Sequence, residues 1–149
     1  MTRVLFVCTG NTCRSPMAEA ILKSNNIPGV EVKSAGIYAL EGSNASENTR
    51  RVLEEQGLTN NHQAALLNES LVNWTSYILT MTKGHKEVIV SSFPNAVKKT
   101  FTLKEFAGVV GDHDIMDPFG GPIELYRNTF NEMNETISKV ISRLQSEKE

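Results

Sequence analysis

Cysteine is scarce in this chain of 149 residues, with only Cys8 and Cys13. Two cysteines five positions apart exclude a disulfide scaffold and a zinc site with four cysteine ligands. No His-Glu-x-x-His pattern occurs either, so no metal and no cofactor is expected. Excess positive charge is also missing. Fifteen Lys+Arg against seventeen Asp+Glu give a formal net charge of −2, which supplies no bulk field for nucleic acid or an anionic membrane. Any anion must therefore be held locally. Long hydrophobic runs are absent at the start: Met1-Thr2-Arg3 is followed only by the apolar stretch Val4 to Cys8, too short for a secretory segment or a membrane span. A cytoplasmic protein is expected, and the Asn-x-Ser/Thr sequons at Asn44, Asn68, Asn73 and Asn134 then carry no weight.

What is present reads as globular. Hydrophobic residues make up 40% and charged residues 21% of the sequence. The length suits a single domain over 1–149, which buries roughly 68–70% of its unfolded surface. Residues 3–8 form an apolar, β-branched run suited to a strand covered on both faces. Ser15 and Pro16 read as N-cap and first residue of a helix, with Met17, Ala20, Ile21 and Ser24 on one face. Further strands are expected at Val30 to Ser34, at 76–81 and, more weakly, at Lys98 to Thr102. Ser46 can cap a helix through Val52 and Leu53 that stops at Gly57. From Pro122 onward, Ile123, Tyr126, Phe130, Met133, Ile137, Val140 and Leu144 mark a long helix with one buried stripe. This spacing favours Tyr126 as part of the stripe over an exposed phosphorylation site. Alternating β and α elements imply an open, doubly wound, mostly parallel four-stranded α/β sheet flanked by helices, whose ligands sit beyond the carboxyl ends of the strands. Cys8 lies at that address.

Between the first strand and first helix stands Cys8-Thr9-Gly10-Asn11-Thr12-Cys13-Arg14-Ser15. Gly10 and Asn11 permit the positive φ that a tight turn needs. A loop turning ahead of a helix N-terminus aims backbone N–H groups inward and makes a site for a tetrahedral dianion, so Thr9 to Ser15 are the expected phosphate-binding residues. Arg14 adds a fork for two phosphoryl oxygens. The same field favours a thiolate at Cys8, and a thiolate facing phosphorus is a nucleophile. Ser15 can donate its hydroxyl to the sulfur.

With VCTGNTCRSPMAEA as its most specific stretch, the chain resembles the low-molecular-weight protein tyrosine phosphatase family along its whole length. The resemblance implies that Cys8 attacks phosphorus, that Arg14 binds the phosphoryl group, and that Asp117 of Asp117-Pro118 is the general acid. A phosphocysteine then forms and is hydrolysed by water that Asp117 activates. His62 aligns with a family histidine that bonds to the loop asparagine, which sets Asn11, Ser15 and His62 behind the loop; a lone surface histidine is the other reading. His85 and His113 are expected to be exposed, and Asp112 and Asp114 to be solvated loop charges. Cys13 is either a packing residue or a partner that captures oxidised Cys8 as a disulfide. The loop from Tyr38 to Asn44 is expected to border the cleft.

Two positions bear on the substrate. Tyrosine-directed members present an apolar branched residue where this chain has Thr12, and aromatics where it has Phe119-Gly120. Thr12 and Phe119 resemble the bacterial protein-arginine phosphatase branch, which implies phosphoarginine in proteins as substrate. Physically, a Thr hydroxyl can bond a guanidinium nitrogen and Phe119 can stack on its plane. The alternatives are a phosphotyrosine phosphatase of the same mechanism and, from another class, a phosphocysteine phosphate carrier; Asp117-Pro118 argues against the carrier. An arsenate reductase would need cysteines beyond Cys13, and the sequence has none. The implied partners are phosphorylated protein substrates and phosphate, and the oligomeric state is left open with a monomer allowed.

Overall fold

A computed structural model describes residues 1–58 and 61–147. The chain runs β1 (Thr2–Cys8), α1 (Arg14–Ser24), β2 (Val30–Gly36), α2 (Glu47–Glu55), α3 (Glu69–Trp74), β3 (Tyr77–Thr80) and α4 (Lys83–Ser92). A 3₁₀ segment (Pro94–Lys99), β4 (Thr100–Thr102), α5 (Leu103–Phe106) and α6 (Ile123–Glu147) complete it. The strands form one parallel sheet in the order β2-β1-β3-β4. β1 is central, and both of its side-chain sets are covered. Val4, Phe6 and Cys8 join a core with α1, α2, α5 and α6, whereas Leu5 and Val7 pack with Val72, Ile89 and Ala96 on the other face. This double coverage is why the strand is apolar throughout instead of alternating. Phe6 and Leu5 are fully buried, each worth about 1.5–3 kcal/mol.

Local signals hold at several ends. Ser46 caps α2 by accepting from the Thr49 N–H at 3.3 Å, and Gly57 beyond its C-terminus has φ +70. The α6 stripe is buried from Tyr126 to Leu144, with Ile123 half-buried. Thr129 and Thr136 are buried too, their hydroxyls donating to Leu125 and Glu132 carbonyls one turn back.

Other ends differ. Helix α1 begins at Arg14 with Cys13 as its N-cap, without a side-chain cap bond, because the Ser15 hydroxyl is engaged with Cys8. Its buried face is Met17, Ala18, Ile21 and Leu22, while Ala20 is half-buried and Ser24 exposed. α1 packs against both the sheet and α6, so its covered surface is wider than a single stripe. β2 continues past Ser34 to Gly36, held by the full register with β1. β3 is narrower than 76–81, and Lys98 and Lys99 fall in the 3₁₀ segment. The Lys99 ammonium there donates to the Val72 and Thr75 carbonyls. Among the described residues no helix is long and apolar enough to cross a membrane.

Candidate active site

The carboxyl end of β1 delivers Cys8 into a turn that closes on the first residues of α1. Cys8 Sγ lies 2.8 Å from Ser15 Oγ, both groups buried. Asn11 Nδ2 donates to the same Ser15 oxygen at 2.8 Å, which leaves the Ser15 proton free to point at the sulfur. Asn11 takes the left-handed conformation at φ 57, whereas Gly10 does not have positive φ; the turn uses only one of the two permitted positions. Gly36 is the glycine the turn requires. A Cβ there would sit 2.5 Å from the Thr9 carbonyl oxygen and 2.9 Å from the Asn11 nitrogen, so the end of β2 touches the loop backbone directly. Tyr38 N donates to the Thr9 carbonyl and Ile37 N to that of Cys8, which places the start of the Tyr38 to Asn44 loop against the turn.

Asn11 is fully buried and anchors the loop from behind. Its Nδ2 also donates to Ser34 Oγ at 3.0 Å and its Oδ1 accepts from Ala65 N at 2.9 Å. The Ser34 hydroxyl donates to Glu19 Oε1 at 2.6 Å. His62 Nε2 donates to the Asn11 carbonyl at 2.6 Å, and its Nδ1 lies 3.5 Å from Glu19 Oε1. The expected grouping of Asn11, Ser15 and His62 is thus brought together, with two members that the sequence did not single out, Glu19 and Ser34. Burial pushes the Glu19 carboxyl up, but hydrogen bonds from His62, Lys23 and Ser34 outweigh it and hold the group down at about 2. Glu19 stands one turn after Ser15 on α1, a carboxylate on the covered side of a helix, and that spacing was its only signal.

The opposite wall comes from the segment before α6. Arg14 is 4% exposed; its Nη1 donates to the Ile115 carbonyl at 2.8 Å and its Nη2 lies 3.6 Å from Asp117 Oδ2. Ile115 N in turn donates to the Met81 carbonyl at the end of β3. Asp117 is half-exposed, and its Oδ1 accepts from Phe119 N at 3.0 Å, an Asx turn that ties the aromatic to the carboxylate. Pro118 is buried beneath them. Asp112 and Asp114 are exposed, as expected, but Asp114 Oδ1 also accepts from Lys83 N at the first residue of α4.

Two histidines depart from expectation. His113 is half-buried and donates to the Val109 carbonyl. His85 is buried, with Nε2 2.8 Å from Thr9 Oγ1 and Nδ1 3.0 Å from Thr82 Oγ1. Burial pushes this imidazole down to about 4, with the Arg14 charge acting in the same direction and Asp117 and Asp114 opposing. Cys13 is buried, its sulfur 3.4 Å from Ser46 Oγ and 3.9 Å from the Tyr126 hydroxyl, and both cysteines are free thiols. Among the described residues no three His, Cys, Asp or Glu side chains converge as metal ligands.

Cys8, Thr9, Gly10, Thr12, Cys13, Arg14, Asp117 and Phe119 line one cavity of about 210 Å³. That is smaller than the roughly 300–1,000 Å³ of a drug-sized pocket and suits a phosphoryl group with the tip of a side chain. A thiol, a guanidinium and a carboxyl share it, the parts needed for nucleophile, anion binder and proton donor.

Known proteins resemble this chain in sequence and fold. A protein-arginine-phosphatase of Geobacillus stearothermophilus is 52% identical over 145 residues, covering 97% of each chain. The solved structure of the YwlE arginine phosphatase from the same organism superposes with a TM-score of 0.96 at 51% identity, covering 99% of this chain and 95% of that one. A Cys-to-Ser mutant of the YwlE arginine phosphatase with phosphorylated active site serine matches with a TM-score of 0.93 at 38% identity over 97% and 96% of the two chains. The family described as low molecular weight phosphotyrosine protein phosphatase matches residues 3–149, and the chain belongs to that family.

Proposed function

We propose that the protein is a cysteine-dependent protein phosphatase that hydrolyses phosphoarginine in proteins through a phosphocysteine on Cys8. The observation that carries this reading is the convergence of Cys8, Arg14 and Asp117 on one small cavity, with Ser15 Oγ 2.8 Å from the sulfur. Loop amides from Thr9 to Ser15 and the Arg14 guanidinium hold the phosphoryl oxygens and stabilise the charge of the transition state. The Cys8 sulfur attacks phosphorus, the P–N bond breaks, and Asp117 protonates the leaving nitrogen so that arginine departs as a cation. Water then attacks phosphorus, the S–P bond breaks, and Asp117 takes the water proton. The Ser15 hydroxyl stabilises the sulfur when it is attacking and when it leaves. Asn11 and His62 keep the loop in shape.

Two observations support phosphoarginine. Relatives similar over nearly the whole chain are named arginine phosphatases. Thr12 and Phe119 stand on the cavity wall beside Asp117, where a hydroxyl, an aromatic face and a carboxylate suit a planar guanidinium. The working unit we propose is one domain over 1–149 acting on phosphorylated proteins in the cytoplasm, a reducing compartment in which Cys8 would stay a free thiol. Both cysteines line the same cavity, which supports capture of an oxidised Cys8 by Cys13. After peroxide treatment and thiol reduction, the fraction of activity regained is expected to be several-fold higher in wild type than in Cys13→Ala; equal recovery would remove that role.

Rapid acid quenching during turnover of a phosphoarginine peptide tests the chemistry. Phosphate is expected on Cys8 by mass spectrometry and to be missing in Cys8→Ala. Undiminished turnover without the Cys8 adduct would overturn the mechanism.

A further inference from the structure

Thr9 is exposed at the cavity, and His85 Nε2 is the sole partner of its hydroxyl among the described residues, at 2.8 Å. His85 sits on the first turn of α4. Its Nδ1 lies 3.0 Å from Thr82 Oγ1, the N-cap oxygen that also accepts from the His85 backbone N–H at 3.1 Å. Burial and the facing Arg14 charge keep the ring neutral, against the opposing Asp117 and Asp114. A neutral imidazole has one N–H and one lone pair, so it gives a proton to one hydroxyl and takes one from the other.

Exposure selects the tautomer, because either one leaves a single hydroxyl proton without an acceptor among the described residues, and Thr9 is exposed at the cavity whereas Thr82 is half-buried. Thr82 Oγ1 already accepts once; by giving its proton to Nδ1 it is satisfied, and the N–H then lies on Nε2, aimed at Thr9. The reverse tautomer makes the Thr82 oxygen accept twice from one residue and strands the proton of the less exposed hydroxyl instead of the one at the cavity. With Nε2–H donating to it, Thr9 Oγ1 turns its own proton away from His85, and the open side is the cavity. In the reverse arrangement Thr9 would offer an anion only lone pairs.

We propose that His85 is a positioning residue that locks the Thr9 hydroxyl as a donor aimed into the cavity, where it bonds a phosphoryl oxygen beside Arg14. This rests on the phosphatase reading above. It makes the first turn of α4 part of the anion site, although α4 follows β3 and not the loop strand.

The test uses inorganic phosphate as inhibitor and a phosphoarginine peptide as substrate. The bond serves bound substrate and transition state alike, so His85→Leu and Thr9→Val should each raise the phosphate inhibition constant and KM by about tenfold or more while kcat changes by less than about threefold. In the double variant the two losses should not add. His85→Gln, which keeps an N–H toward Thr9, should restore most of the affinity. In ¹⁵N-histidine NMR of the wild type, His85 should be neutral and protonated at Nε2 at pH 6. A folded His85→Leu with wild-type phosphate affinity, additive losses, or an Nδ1–H tautomer would each overturn the proposal. Should His85→Leu not fold, the tautomer decides. Failure of the phosphatase reading is separately visible as a wild type that turns over no peptide and carries no phosphate on Cys8.

Discussion

The two walls of the cavity are built on opposite plans. On the phosphate loop Asn11 and Ser15 are fully buried and Cys8 is 3% exposed; hydrogen bonds of 2.8–3.0 Å tie the three together, and Asn11 reaches on to Ser34 and Ala65. On the acid loop Met116 is 68% and Phe119 72% exposed, and among the described residues the Asp117 carboxylate has only the Arg14 ion pair at 3.6 Å and its own turn to Phe119. The loop is fixed at Ile115 and open beyond it. The difference separates two tasks. A phosphoryl group has one shape, so its site is organised before it arrives, and rigid donors stabilise the transition state without reorganising. In the proposed reaction the leaving group is attached to a whole protein, and the groups assigned to recognise and protonate it stand at the surface, where a substrate can cover them.

The largest expected break in this comparison is Cys8→Ser. Turnover should fall to background, about 10⁴-fold or more, because the Cys8 sulfur is the one held against Ser15 Oγ, while the Cys13 sulfur is turned to Ser46 and Tyr126. Near-normal phosphate release by this variant would remove the mechanism. Asp117→Asn comes next: single-turnover kinetics should show phosphoenzyme formation slowed by about 10²–10⁴-fold, most for basic leaving groups, while urea unfolding shifts by less than about 0.5 kcal/mol because the side chain is half-exposed. A large loss of stability would show that the acid loop is structurally coupled to the buried wall.

The buried wall should also reveal itself as acid sensitivity. The Glu19 carboxyl is held at about 2 in the fold, below its ordinary 4.5, so its contribution is present above 4.5 and is lost as the pH falls toward 2. His85 is neutral in the fold down to about 4 against 6.5, so the unfolded chain binds its proton first and stability falls from pH 6.5 to 4. Both act in the same sense, each on the order of 3 kcal/mol. Urea midpoints at pH 7, 5 and 3 should fall in turn, and Glu19→Gln should flatten the lower window. Midpoints independent of pH would contradict the buried network.

The fold was readable wherever the determining contacts are local or periodic. Val4 to Cys8, the Ser46 cap with Gly57, and the stripe from Tyr126 to Leu144 each specify themselves within a few residues. Ser15 misleads because Ser-Pro is a good helix opening, yet its hydroxyl is drawn to Cys8 and α1 starts one residue earlier. Cys8, Arg14 and Asp117 stood out by type and context, and the cavity brings them together. Glu19, Ser34, Gly36 and His85 did not stand out, because each reaches the loop from another element and only parallel pairing and helix packing bring them there. His85 was expected at the surface because nothing in its local sequence shows that the first turn of α4 abuts Thr9.

Phosphate release from matched phosphoarginine and phosphotyrosine peptides, with wild type and Thr12→Ile in one assay, tests the central claim most directly. The wild type should prefer phosphoarginine, and Thr12→Ile, which removes the hydroxyl from the cavity wall, should reverse the preference. Phosphotyrosine preference in both proteins would contradict the account of the substrate, and stable phosphocysteine without turnover of either peptide would contradict hydrolysis itself.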